Sequence, residues 1–200
     1  MSAENSNFKL KPIAELLDGT YNFFIPYYQR GYRWGKKEVT DLLEDIWDFA
    51  RNAKSGEFYC LQPIVIEKRD EKQWTVIDGQ QRLTTLLLLL KYFKSKNDDI
   101  KQPLYTLHYD TRPTLDFNNI EQKSNIDSYY IYQAQEYINK WFEKTTVKKS
   151  KIEEVLFDVY GIENDEPQVK FIWYVAENNK SLDSIKTFNN LNKGKIRLTN

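Results

Sequence analysis

The segment Gln80 to Lys94 contains a leucine run, Leu86 to Leu90, that is apolar on every side of a helix. A helix with one apolar stripe can lie on a surface, but one that is apolar all round needs neighbours on every side. The chain must therefore bury this helix deeply. Its 200 residues are enough to supply such a core. A 40% apolar share with 15% aromatics argues against low-complexity disorder. The helix also begins abruptly, because Gln73 to Ile77 reads as a strand and only Asp78-Gly79 separates the two.

Phe58 to Glu67 reads as a buried strand and Arg69 to Lys72 as a charged turn, so Phe58 to Ile77 is predicted to form a hairpin. Upstream, Met1 to Lys9 reads as a flexible lead, and Pro12 to Asp18 as a short helix stopped by Gly19. Tyr21 to Ile25 is a strand ended by Pro26, and Tyr27 to Trp34 is an irregular loop. In Lys36 to Ala53, Val39, Leu42, Leu43, Ile46, Trp47 and Ala50 recur at helical spacing, with Asp41, Glu44, Asp45 and Asp48 on the other face. Those acids read as a solvated face, from which Glu44 or Asp45 can still turn toward a site.

Downstream, Leu104 to Tyr109 and Val169 to Val175 read as strands. Ile126 to Phe142, Ile152 to Tyr160 and Ser181 to Leu191 read as helices, the last capped by Asn192 and Gly194. This mixture predicts an α+β fold rather than a regular βαβ series. Residues 1–96 form the core, and 97–200 a mainly helical extension with strands that completes the same domain. Ile196 to Asn200 reads as the start of a further element, so the chain is expected to be a fragment.

Charge excludes one class. Lys plus Arg and Asp plus Glu balance at 29 each, which does not suit a globally basic nucleic-acid binder. A lone cysteine, Cys60, cannot form an internal disulfide, and no Cys/His spacing suits zinc, which fits a reducing cytoplasm. The polar N-terminus lacks a leader's apolar region, and Leu86 to Leu90 is too short to span a bilayer. The expectation is a soluble, cytoplasmic protein. His108 is the only histidine, and nothing beside it suggests a nucleophile.

Three segments carry chemistry. In Asp78-Gly79-Gln80-Gln81-Arg82 a strand ends, Gly permits a tight turn and a helix begins. The free N–H groups at such a helix start attract anions. Arg82 can fork two phosphate oxygens, Gln80 and Gln81 add amide donors, and Asp78 can position water or hold a divalent metal. The plainer alternative, about as well supported by this segment taken alone, makes Asp78 a helix cap and Arg82 a surface charge. No Walker A loop is present, since no GK[ST] follows.

The second segment, Ile25 to Trp34, interleaves Tyr27, Tyr28, Tyr32 and Trp34 with Arg30 and Arg33. Rings can stack on a base while arginines meet phosphates. About half of such rings are expected to pack in a core instead. Gln29-Arg30, just past a strand end, is the stronger candidate. The third segment, Phe188 to Thr199, offers Asn189 and Asn192 to a ligand, although composition alone favours an ordinary helix end capped by Asn192 and Gly194. Arg112, in the turn Asp110-Thr111-Arg112-Pro113, is a weaker phosphate contact.

Taken together, IPYYQRGYRW, LLEDI, DGQQRLTTL and FNNLN…G…LT resemble the N-terminal domain of GmrSD-type, modification-dependent restriction endonucleases and related phage-defence proteins. The resemblance runs from about Phe24 to Thr199. Two departures stand out. Gln62-Pro63 follows Leu61 where the family often has Gly, and Gly194 falls one residue early. The resemblance implies a ParB/sulfiredoxin-like α+β fold followed by helices. It implies that a nucleoside triphosphate is bound and hydrolysed with Mg²⁺ or another divalent metal, coupled to cleavage of modified phage DNA. It places catalysis on Asp78, Gln81 and Arg82, with Asp78 the candidate metal ligand. It places nucleotide contacts on Gln29, Arg30, Tyr32, Trp34, Gly79 and Gln80, to which the reading of the residues themselves adds Arg33, Arg112, Asn189 and Asn192. The HNH nuclease half is expected in cis or in trans, since no H-N-H segment is present. A homo-oligomer stays open, as does a non-hydrolytic nucleotide- or DNA-binding module.

Overall fold

The computed structural model describes residues 8–120, 125–144, 148–158 and 165–176. Six strands form one mixed sheet: β1 (Phe8–Pro12), β2 (Asn22–Ile25), β3 (Phe58–Asp70), β4 (Gln73–Asp78), β5 (Thr106–Tyr109) and β6 (Gln168–Ala176). Their order across the sheet is β1-β6-β3-β4-β2-β5. Four helices accompany them: α1 (Lys36–Asn52), α2 (Gln80–Lys96), α3 (Ile126–Lys144) and α4 (Lys149–Phe157). The α+β class expected from the sequence is the one adopted.

The leucine helix behaves as its composition requires. Leu83 and Leu86 to Leu90 are all buried, together with Tyr92 and Phe93. On α1 the periodic apolar residues Val39, Leu42, Leu43, Ile46 and Ala50 face the core, while Asp41, Glu44, Asp45 and Asp48 face solvent. Asp45 accepts a hydrogen bond from Tyr59 Oη at 2.9 Å and does not turn toward either motif. Phe23, Ile25, Leu107 and Tyr109 alternate with more exposed neighbours along β2 and β5, so one face of the sheet packs into the core.

Three local readings change. Phe8 and Lys9, read as the end of a flexible lead, belong instead to an edge strand that pairs antiparallel with β6 from Phe8 opposite Tyr174 to Pro12 opposite Lys170. That partner lies far along the chain, and no local signal announces it. The helix expected over Pro12 to Asp18 contracts to a 3-10 turn, Ile13–Leu16. Arg69 and Asp70 belong to β3, so the hairpin turns more tightly at Glu71-Lys72, with Lys72 at φ 55°. The helix expected over Ser181 to Leu191 lies outside the described residues.

Strand direction gives the sheet one distinctive edge. β4 and β5 both run parallel to β2, while β3 pairs antiparallel with β4. The carboxyl ends of β2, β4 and β5 therefore emerge together on the same side. Ligand sites in α/β sheets favour such an edge.

Candidate functional site

The sequence motifs meet at this edge. Tyr27 to Trp34 follows β2, Asp78 ends β4 with Gly79 just after it, and Asp110 to Pro113 follows β5. Gly79 is the only residue between β4 and α2, and its φ of +98° lies in the left-handed region. A Cβ there would sit 2.6 Å from Ile64 Cγ2, so both conformation and space require glycine. The first helical bond runs from Leu83 N–H to Gly79 O at 3.0 Å. The N–H groups of Gln80, Gln81 and Arg82 thus have no helical acceptor, and glycine has no side chain with which to cap them. Asp78 is not the helix cap. Its side chain is 53% exposed at the mouth of the turn.

The glutamines join the two motifs. Gln29 Nε2 donates to Val76 O at 2.9 Å and to Ile77 O at 2.6 Å. Gln80 Nε2 donates to Arg30 O at 2.7 Å. Gln81 Nε2 donates to Gly31 O at 3.0 Å, while its Oε1 accepts from Arg33 N–H at 2.8 Å and Trp34 N–H at 3.2 Å. Read from the sequence as amide donors for a phosphate, Gln80 and Gln81 here fasten the β2 loop onto the start of α2. Gln80 Oε1 is left buried with no hydrogen-bond partner.

Arg82 also differs from expectation. Its Nη1 donates to Gln62 Oε1 at 2.9 Å and its Nη2 to Pro63 O, so the fork grips β3 rather than open space. The acceptors exist because β3 shifts register between Leu61 and Ile64, at the Gln62-Pro63 pair. Proline cannot donate to a central ladder and marks such irregularities. Burial lowers the Arg82 pKa from its ordinary value, and the Asp78 carboxylate, 3.7 Å away, opposes that shift.

The rings of the second motif divide. Tyr32, expected to contact nucleotide, is wholly buried, and its hydroxyl lies 2.7 Å from Thr85 Oγ1. A ring with no exposed face cannot stack on a base, so Tyr32 is a core residue; burial also raises its phenol pKa well above the ordinary value. Trp34 is partly buried against the same core. Tyr27 and Tyr28 are instead the exposed pair, at 76% and 63%. Arg30 is exposed, with no ion-pair partner among the described residues.

Sequence reasoning missed Asp127. This carboxylate, in the first turn of α3, is only 2% exposed and sits between two arginines. Arg33 Nη1 contacts Oδ1, and Arg112 Nε lies 3.0 Å from Oδ2 as an ion pair whose N–H is not aimed at the oxygen. Asn125 Oδ1 caps the helix start, accepting from the N–H groups of Asp127 and Ser128 at 2.9 Å each. The capping pattern is visible in the sequence, but the link to Arg33, 94 residues away, is not. Asn189 and Asn192 lie outside the described residues.

Among the described residues, no group of three or more His, Cys, Asp or Glu side chains is arranged to hold a metal ion. Asp78 could still serve with phosphate oxygens and water, since Mg²⁺ commonly takes one or two carboxylates in such company. Among the same residues no helix is long and apolar enough to cross a membrane. No curated protein matches the chain. The sequence model of the GmrSD restriction endonuclease N-terminal domain matches residues 13–200, nearly the whole chain and both motifs with it. The chain belongs to the family of GmrSD restriction endonuclease N-terminal domains.

Proposed function

We propose that this domain binds a nucleoside triphosphate at the carboxyl edge of β2, β4 and β5 and hydrolyses it, and that hydrolysis regulates DNA cleavage by an HNH nuclease half. The family is one of restriction endonucleases, which supports a role in phage defence. The observation that carries the nucleotide reading is the uncapped start of α2, one glycine after β4, with the exposed Asp78 at its mouth. Arg30 and the Arg33–Arg112 pair supply positive charge on the neighbouring loops, and Tyr27 and Tyr28 present ring faces for a base.

In this reading the N–H groups of Gln80, Gln81 and Arg82 hold phosphate oxygens. Asp78 holds a divalent metal or orients the attacking water. Gln81 and Arg82 act by fixing the turn, through the loop bonds of one and the β3 bonds of the other. A bound metal would neutralise charge across the phosphates. The DNA partner is modified phage DNA.

The test is phosphate release with Mg²⁺, with DNA and the nuclease half supplied, for wild type, Asp78→Ala and Arg82→Ala. Asp78→Ala is expected to lose about 100-fold or more in rate, as removal of a general base or metal ligand does. Equal rates in all three overturn the proposal.

One observation favours a second reading. Asp78 is the only acid at this turn, which suits a non-hydrolytic nucleotide or DNA-backbone sensor. Calorimetry separates the two, because tight binding without turnover, even with DNA, selects the sensor.

A further inference from the structure

Arg33 follows β2, Arg112 follows β5, and the carboxylate joining them belongs to α3. Arg33 Nη1 also donates to Tyr32 O at 2.5 Å and Arg112 Nη1 to Thr111 O at 2.6 Å, so each guanidinium is held at two points. Both arginines stay partly exposed, at 29% and 34%, while the carboxylate between them does not. The arrangement also shapes the backbone. A Cβ on Gly31 would lie 2.0 Å from Asp127 Oδ1, so the β2 loop closes directly over the carboxylate, and a side chain there would have to displace it. Gln81 Nε2 donates to the carbonyl of the same Gly31.

A buried ion pair is a weak source of stability, because desolvation offsets much of the attraction. Two long arginine side chains held by one carboxylate are, however, pre-organised, and one charge remains uncompensated. We infer that Asp127 is a positioning residue that holds Arg33 and Arg112 as a single cationic unit beside the start of α2, oriented for the phosphates of a triphosphate. The inference rests on the nucleotide-binding function proposed for this edge. It makes α3 part of the site, through a residue that touches no ligand itself.

Charge and positioning give opposite signs in the test. Removing a carboxylate should tighten anion binding if Asp127 is only a counter-charge, and weaken it if Asp127 positions the arginines. Calorimetry with ATP, GTP and inorganic tripolyphosphate, each with Mg²⁺, would be run on the full chain as wild type, Asp127→Asn, Arg112→Lys and the double variant. Asp127→Asn is expected to weaken the triphosphate Kd about tenfold or more, the scale of one charge-assisted hydrogen bond. Arg112→Lys keeps the charge but not the planar fork, and is expected to weaken Kd about fivefold with an unchanged melting temperature. The Arg112→Lys effect should vanish in the Asp127→Asn background, since the two act as one unit.

Wild-type or tighter affinity in Asp127→Asn, or additive losses in the double variant, overturns the inference. If Asp127→Asn fails to melt cooperatively, Arg112→Lys decides alone, and an unchanged Kd overturns it. A wild type that binds none of the three probes overturns the proposed nucleotide function and this inference together, whereas normal wild-type binding with unaffected variants overturns the inference alone.

Discussion

Gly79 and Gln81 show how much of this edge depends on single side chains. Gly79 combines a left-handed φ with contact against Ile64. Gly79→Ala adds backbone strain and overpacking, and is expected to destabilise the fold by about 2–4 kcal/mol in denaturant unfolding. Gln81 satisfies two N–H groups and one carbonyl of the β2 loop. Gln81→Ala leaves those groups unpaired at a mostly buried site, and is expected to destabilise the fold by about 2–4 kcal/mol by the same measurement. A stability unchanged by Gln81→Ala would show that the glutamine does not fasten the loop. At this scale the sequence was a partial guide. Its polar residues were identified as a cluster, but whether an amide faces a ligand or a carbonyl depends on a loop 50 residues distant.

Elements are joined at the opposite end of the sheet by a surface pair. Asp18, before β2, meets Lys72 in the β3–β4 turn. Burial raises the Asp18 pKa, but the bonds from Lys72 and from the Thr20 N–H and hydroxyl outweigh it, and the net shift is downward. The stabilisation is therefore present above the ordinary carboxylate pKa near 4 and is lost as pH falls through the lower folded value. Asp18→Asn is expected to melt lower than wild type at neutral pH, with the difference closing as pH falls through the lowered folded value. A difference that persists in acid would argue against the pairing. The β3–β4 hairpin was legible because both strands and their turn are contiguous. β1 was not, because its polar-apolar alternation is short and its partner is β6.

For the whole molecule, strand order decides what is separable. β6 lies between β1 and β3, and β5 closes the other edge beside β2. Both come from the second half of the chain, as does Asp127. A fragment of residues 1–96 lacks a central strand and the partner of Arg33, and is expected to show no cooperative thermal transition by circular dichroism. A cooperative melt from that fragment would mean that the first half forms a core without β6.

The sequence by itself determined the buried α2 helix, the hairpin, the α+β class and the two motif segments, because local periodicity and turn chemistry act over a few residues. It also placed the family, since the motifs recur in order along nearly the whole match. Only the tertiary structure decided that the motifs share one sheet edge, that Tyr32 is core, that Arg82 grips β3, and that Asp127 joins Arg33 to Arg112. Each of those facts depends on which strands run parallel and which loops meet. Such pairings arise from long-range packing, which no window of sequence contains.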